Sequence, residues 1–343
     1  VLLRDLGEWE LLKRLAIYAP PGQLDDDAAL LVERAGRTLV VNTDVLVEGL
    51  HFSDATMGPA DLGWRAAAAN LSDLAAMGCQ QVVGLTVGMV APGDTPWAWV
   101  EGVYSGLSEA LVRYGGVLLG GDCSGGAQRL LAVTALGHLG RGAIRRGDGR
   151  PGDALLSTGP HGLSRLGLAL LLQELPVQSG AAMIPALAER AVRAHRRPRP
   201  RLDAVAALAV SQPPHCPWRV GGTDSSDGLL AAVAAIARTS GCQALLQRGA
   251  LPLDAAMAGL PEAENWCLSG GEDFELVLAL APVWAQALVQ VLPGASLIGE
   301  LRATEAGTTP ATSVLWQDSD QPVTGSEGWC HYTKKAAPED GLQ

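Results

Sequence analysis

Three times this chain follows a glycine pair with carboxylates: Gly120-Gly121-Asp122, Gly221-Gly222-Thr223-Asp224 and Gly270-Gly271-Glu272-Asp273. Each stands beside an apolar run, "GGVLL" (115–119) before the first, "LLAAVAAIA" (229–237) after the second and "FELVLAL" (274–280) after the third. In layered α/β folds the loops at strand ends are where ligands bind. Acids delivered repeatedly to such ends point to a fold that gathers several of them at one rim. The length of 343 residues exceeds one ordinary core and predicts two domains.

The clearest linker, "RRGDGRPGD" (145–153), places the division near residue 145, giving domains 1–145 and 146–343. Residues 28–43 read as two strands around a glycine turn, and the Ala-rich stretch 60–77 as a helix that Gly78 stops. A strand at 81–90, a helix at 96–114 and strands near 116–120 and 130–139 follow. Helices near 162–174, 185–195 and 202–210 lead to "GGTDSSDGLLAAVAAIA" (221–237), where four polar residues read as the start of a further helix. Beyond it come a strand at 274–280, a helix at 283–292 and short strands to about 317. Strands and helices mix without strict alternation, so the expected class is α+β in two mixed α/β domains.

Other acids also fall at element ends. Asp25, Asp26 and Asp27 precede the first strand, and Asp44 ends the second. Asp73 lies among Ala and Leu inside a helix, where a carboxylate is either a satisfied buried group or a ligand. The others each have an ordinary reading: a solvated loop, an Asx-turn, a helix cap. Asp224 and Asp227 read both as caps of the following helix and as ligands. If the acids converge they need cations, because two charges 4 Å apart repel by roughly 4 kcal/mol at an effective dielectric of 20. Oxygen ligands with almost no His or Cys nearby favour Mg2+ with substrate phosphates.

Several chemistries are excluded. The net charge of −11 argues against nucleic acid as the main partner. The longest apolar runs are far too short to span a bilayer, and the amphipathic N-terminal segment lacks the pattern of a signal peptide. Six scattered cysteines form no zinc pattern and suit free thiols in a reducing cytoplasm. Only Lys13, Lys334 and Lys335 are present, none after a Gly-rich turn, which rules out a P-loop and a protein-kinase fold. "GDGRPG" (147–152) precedes a strand rather than joining strand to helix, so a dinucleotide fingerprint fails.

Seven motifs, in order, carry a resemblance: "DDDAALL" (25–31), "NTDVLVEGLHF" (42–52), "NLSDLAAMG" (70–78), "LLGGDCSGG" (118–126), "GLSRLGL" (162–168), "DSSDGL" (224–229) and "SGGEDFEL" (269–276). Together with a final "GWCHY" (328–332), they resemble thiamine-monophosphate kinases, relatives of aminoimidazole ribotide synthetase and selenophosphate synthetase. The resemblance implies a homodimer built on the N-terminal sheets, with ATP in a cleft between domains. It implies Mg2+-dependent transfer from ATP to thiamine phosphate. By position, Asp27, Thr43, Asp44, Asp73, Asp122, Asp224 and Asp227 resemble the metal ligands, with Asn42 where a hydroxyl residue is common and Asp26 as a neighbouring acid. Tyr104, Gly121, Asp122, Arg146 and Ser226 resemble the ATP contacts, and His51, Glu272 and Trp329 the substrate contacts.

The residue chemistry suits those roles. A phosphate-monoester acceptor is already largely ionised at neutral pH and needs no general base. Arg146 reads either as a phosphate contact or as a linker residue; Trp329 either as a stacking partner for cationic rings or as a core aromatic. Three departures stand out: Asp25 where glycine is usual, Cys123-Ser124 where hydroxyl residues are usual, and Cys330 where an acid often follows the aromatic. Two rivals remain, another ATP-dependent synthetase of the superfamily and a silent nucleotide binder. The first lacks its N-terminal Cys here, and the second would have lost metal acids.

Overall fold

The structure is a computed structural model that describes residues 26–32, 36–175, 185–304 and 313–325. Asp25, Trp329, Cys330 and the amphipathic N-terminal segment lie outside the described residues. Two sheets and the helices that cover them make up the architecture, a mixed α/β arrangement as the sequence predicts.

The first sheet contains β1 (Ala29–Val32), β2 (Thr38–Val47), β3 (Cys79–Ala91), β4 (Val117–Gly125) and β5 (Leu130–Leu139), in the order β1-β2-β5-β3-β4. Its pairs are antiparallel except β3 with β4. That parallel pair needs a crossover, and α2 (Trp97–Tyr114) provides it. α1 (Pro59–Ala76) opens on a proline that its first turn tolerates, and it buries Leu62, Ala66, Leu71 and Leu74 at helical spacing against the sheet. Gly78, at φ +87°, ends it in the left-handed region as expected. The two helices cross in close contact. A Cβ on Gly63 would overlap the Val103 carbonyl, and one on Gly106 the Ala60 carbonyl.

The second sheet contains β6 (Ala154–Ser157), β7 (Gly221–Asp224), β8 (Cys242–Leu246), β9 (Leu276–Leu280), β10 (Ser296–Ala303) and β11 (Val314–Trp316), in the order β11-β8-β10-β6-β9-β7. β8 and β9 are buried at every position because both faces are covered. Val277 and Ala279 pack under α6 (Leu229–Thr239). Leu276, Leu278 and Leu280 point the other way, toward α5 (Leu202–Ser211) and α8 (Pro282–Val291). Ala75 and Ala76 of α1 belong to that same apolar cluster, so the two sheets share a packed seam. A third layer joins α3 (Leu163–Leu171), α4 (Pro185–Arg196) and α7 (Ala263–Ser269) through Leu166, Leu187, Ala191 and Trp266.

Four local readings change. β2 runs on to Val47, so Asp44 sits within the strand rather than at its end. The strand expected to stop at residue 120 runs on to Gly125, so Asp122 sits within β4 rather than after it. A Cβ on Gly121 would overlap the Val87 carbonyl, so glycine is what lets β4 lie against β3 here. Residues 221–224 are a strand, not a helix start. Their glycines permit close packing: a Cβ on Gly222 would lie 2.7 Å from the Ile144 side chain and 2.8 Å from that of Leu278. Finally, α6 begins at Leu229 with Gly228 (φ +106°) at its N-cap, and no side chain caps it. Neither Asp224 nor Asp227 occupies the capping position that the sequence suggested.

Candidate active site

Three elements bring Asp27, Asp73 and Asp224 together. Asp27 lies just ahead of β1, Asp73 in the last turns of α1, and Asp224 at the end of β7. Each offers a carboxylate oxygen within 4.8 Å of the other two. Asp224 accepts from Ser72 Oγ at 2.6 Å and Ser226 Oγ at 3.1 Å. Asp73 accepts from Asn42 Nδ2 at 2.6 Å, and Asn42 also donates to Asn70 Oδ1 at 3.2 Å. Asp27 accepts from Thr223 Oγ1 at 2.9 Å and pairs with the Arg146 guanidinium. The Arg146 backbone N–H donates to Asp26 Oδ1 at 2.9 Å.

Charge is concentrated beyond what one arginine can offset. Burial and the Asp224 charge push Asp27 up to about 6 against the pull of Arg146. Burial, then Asp44, Asp224 and Asp27, hold Asp73 well above the usual carboxylate range. Asp44 and Asp224 are raised as well, burial coming first for both. Asp27 Oδ2 and Asn42 Oδ1 are buried with no hydrogen-bond partner. Buried oxygens left without donors, beside several carboxylates, are the donor set a hard divalent cation requires.

Strand alternation sorts the remaining residues. Asn42 and Asp44 share one face of β2 with the acid trio, whereas Thr43 is exposed on the other and its hydroxyl meets Thr134 Oγ1 at 2.8 Å. The Thr43 hydroxyl is therefore not brought to the cluster. Gly121 and Asp122 lie on the exposed β4, and Asp122 is not one of the three acids whose oxygens converge. Burial, then the adjacent Cys123 thiol, raises the Tyr104 phenol, so Tyr104 of α2 meets that same strand. Ser226 and Asp227 stand in the loop between β7 and α6.

Glu272 lies across that loop. Its backbone N–H donates to Ser226 O at 2.6 Å, and it adopts φ +60° in a turn that also contains Gly271 at +69° and Phe274 at +53°. Arg65 of α1 pairs with its carboxylate, and His195 Nδ1 of α4 is 3.7 Å from it. Burial opposes ionisation, yet Arg65, His195 and His51 hold the Glu272 carboxyl below its ordinary value. His51 Nδ1 accepts from the Val47 N–H at 3.0 Å, which leaves its Nε2 to carry the proton. The sequence reading missed Asn70, Ser72, Thr223 and Arg65. "NLSD" interrupting an alanine run was the available signal for the first two.

The family model for the AIR synthase related protein, N-terminal domain, matches residues 25–139. A thiamine-monophosphate kinase of Prochlorococcus marinus is 47% identical over 301 residues, spanning 88% of this chain and 90% of its own. One of Synechococcus elongatus is 46% identical over 334 residues, spanning 96% and 98%. The chain belongs to the thiamine-monophosphate kinase family. Among solved structures of that family, one described as AaThiL complexed with AMPPCP and TMP superposes with a TM-score of 0.81 at 26% identity, covering 97% of this chain and 99% of that one. Among the described residues, no helix is long and apolar enough to cross a membrane.

Proposed function

We propose that the chain transfers the γ-phosphoryl group of ATP directly to thiamine phosphate, giving ADP and thiamine diphosphate. Family membership supports the reaction. One observation of the site carries it: three carboxylates, Asp224 buried and Asp27 and Asp73 partly so, meet within 4.8 Å while Asp27 Oδ2 and Asn42 Oδ1 lack any partner. Asp27, Asp73 and Asp224 would hold Mg2+, with Asp44, Asp122 and Asp227 as further acids of the same site. Bound there, Mg2+ supplies charge neutralisation between two polyanions and helps align them for in-line transfer.

The protein's own groups do the rest. Arg146, which bridges Asp27 and Thr223, would meet a nucleotide phosphate by charge-assisted hydrogen bonds. Ser226, Gly121 and Tyr104 complete the nucleotide contacts in this reading, and His51, Glu272 and Trp329 take the acceptor. The acceptor phosphate is ionised without help, so no residue need remove a proton. The first sheet ends at Leu139 and the second begins at Ala154, which supports a domain boundary near 145.

We also infer a homodimer. Among the described residues of the first sheet β4 pairs only with β3, and all nine of its residues are exposed, Val117, Leu118 and Leu119 among them. An uncovered apolar edge of that length is what a second copy would bury. The free cysteines Cys79, Cys123, Cys216, Cys242 and Cys267 suit a reducing cytoplasm.

ADP release with ATP and Mg2+, compared across thiamine phosphate, free thiamine and no acceptor, tests the reading. Release only with thiamine phosphate, matched by thiamine diphosphate and abolished by EDTA, is the expected outcome. ATP binding without acceptor-dependent release would overturn the acceptor assignment.

A further inference from the structure

Arg65 sits in the middle of α1 with a side chain only 3% exposed, yet the carboxylate it pairs with, Glu272, is 38% exposed. Arg201, 6% exposed, also reaches a half-open carboxylate, Asp203 at 45%, but it shares its charge with a second, Glu275 at 13%. Among the described residues Glu272 is the one carboxylate paired with Arg65. A buried guanidinium aimed outward at a half-open carboxylate is an expensive way to stabilise a fold. It is an economical way to aim a carboxylate at something that arrives from outside.

The surroundings support that use. Arg65 donates through Nη1 to the His195 carbonyl and through Nη2 to Glu272 Oε1, so its planar fork is fixed at both ends. The other oxygen, Oε2, is 3.7 Å from His195 Nδ1. Burial, then Arg65 itself, pulls His195 down to about 4, so His195 is neutral near pH 7 and Arg65 supplies the formal positive charge. The backbone of Glu272 is held separately, by its N–H bond to Ser226 O, in the left-handed region that non-glycine residues rarely adopt. Side chain and backbone are thus each pinned by a different element, and one side of the carboxylate stays open.

We propose that Arg65 is a positioning residue for the acceptor: it orients the Glu272 carboxylate toward the ring end of thiamine phosphate and does not itself touch substrate. The inference rests on the assignment of Glu272 to the acceptor side. It predicts that the damage from losing Arg65 passes through Glu272 and appears in acceptor binding, not in nucleotide binding.

The test is a double-mutant cycle of Arg65→Gln and Glu272→Gln, read as KM for thiamine phosphate and, separately, for ATP. Free thiamine, used as a competitor, reports on the ring end alone. Loss of a positioned charge-assisted contact should raise the acceptor KM about 10- to 100-fold in either single variant. The inhibition constant of thiamine should rise with it, the ATP KM should not move, and the double variant should be no worse than the poorer single one. Arg65→Lys keeps the charge but not the fork; it should recover part of the loss, and it serves if Arg65→Gln does not fold. An Arg65→Lys enzyme with unchanged acceptor KM, or additive effects in the cycle, overturns the positioning role while leaving Glu272 in place. A Glu272→Gln enzyme with normal acceptor KM overturns both this role and the underlying assignment.

Discussion

Replacing Asp73 by asparagine removes one charge from the acid trio while keeping its shape and its contact with Asn42. The three carboxylates lie within 4.8 Å, and two full charges at that spacing repel by about 3.5 kcal/mol at an effective dielectric of 20. The trio relieves this by holding protons: Asp27 rises from 3.8 to about 6 through burial and Asp224, despite Arg146. Forcing such a carboxyl to ionise costs the fold about 3 kcal/mol above that pH. In EDTA at pH 8, D73N should therefore be more stable than the parent by about 3 kcal/mol on the Coulomb scale, or about 4 °C in Tm for a chain of this length.

The sign follows from proton linkage. A raised folded pKa means the folded protein binds more protons than the unfolded chain, so the Asp73 penalty is absent below about 4 and grows with pH until its raised folded value is passed. The advantage of D73N should be markedly smaller at pH 5 and vanish below about pH 4. Millimolar Mg2+ should raise the parent's Tm and barely move that of D73N, while turnover of D73N falls by roughly 100-fold or more. Thermal unfolding at pH 5 and pH 8, in EDTA and in Mg2+, measures all of this. A D73N protein less stable than the parent at pH 8 in EDTA, or equally favoured at pH 5, refutes mutual repulsion among these acids.

Arg146→Ala takes away the cation beside Asp27, leaving only the Thr223 hydrogen bond against burial and Asp224, so Asp27 moves above 6 and stability falls more steeply between pH 6 and pH 8. Urea unfolding across that window checks it, and parallel curves for parent and variant would count against the pairing. Gly106→Ala drives a methyl into the Ala60 carbonyl and should cost about 1–3 kcal/mol in overpacking. An unchanged Tm would show that α1 and α2 can separate freely. Asp153 takes both arms of Arg219, at 2.6 and 2.8 Å, where the chain enters β6. Asp153→Ala should lower stability by about 2–3 kcal/mol, read from the urea midpoint, with no change indicating that water replaces the carboxylate.

Long periodic elements were legible in the sequence, and short glycine-bearing ones were not. The Ala-rich α1 and the proline- and glycine-bounded α2 announce themselves through propensity. β7 does not, because "GGTD" carries local turn chemistry while its strand character comes from pairing with β9, more than 50 residues further on. β8 and α7 went unread for a similar reason: five and seven residues are too few for periodicity to show, and their burial is set by distant partners. Asp73 was legible as an acid inside an apolar helix. Arg65 was not, since an arginine on a helix ordinarily reads as a solvated residue, and only the arrival of α4 and the 270–275 turn buries it. Thr43 shows the opposite limit: motif position selects it, but strand alternation turns its hydroxyl away.

The acid trio has a consequence for how such a chain can change over evolutionary time. Asp27 and Asp73 are encoded ahead of residue 140, and Asp224, with its supporting Thr223 and Arg146, after it. A crossover between diverged genes that fell in the connection between the two sheets would join acids from one lineage to counter-charges from another. Duplicating either half alone would yield a copy with an incomplete set. The two halves are consequently under pressure to be inherited as a matched pair, although each carries a sheet and a hydrophobic cluster of its own.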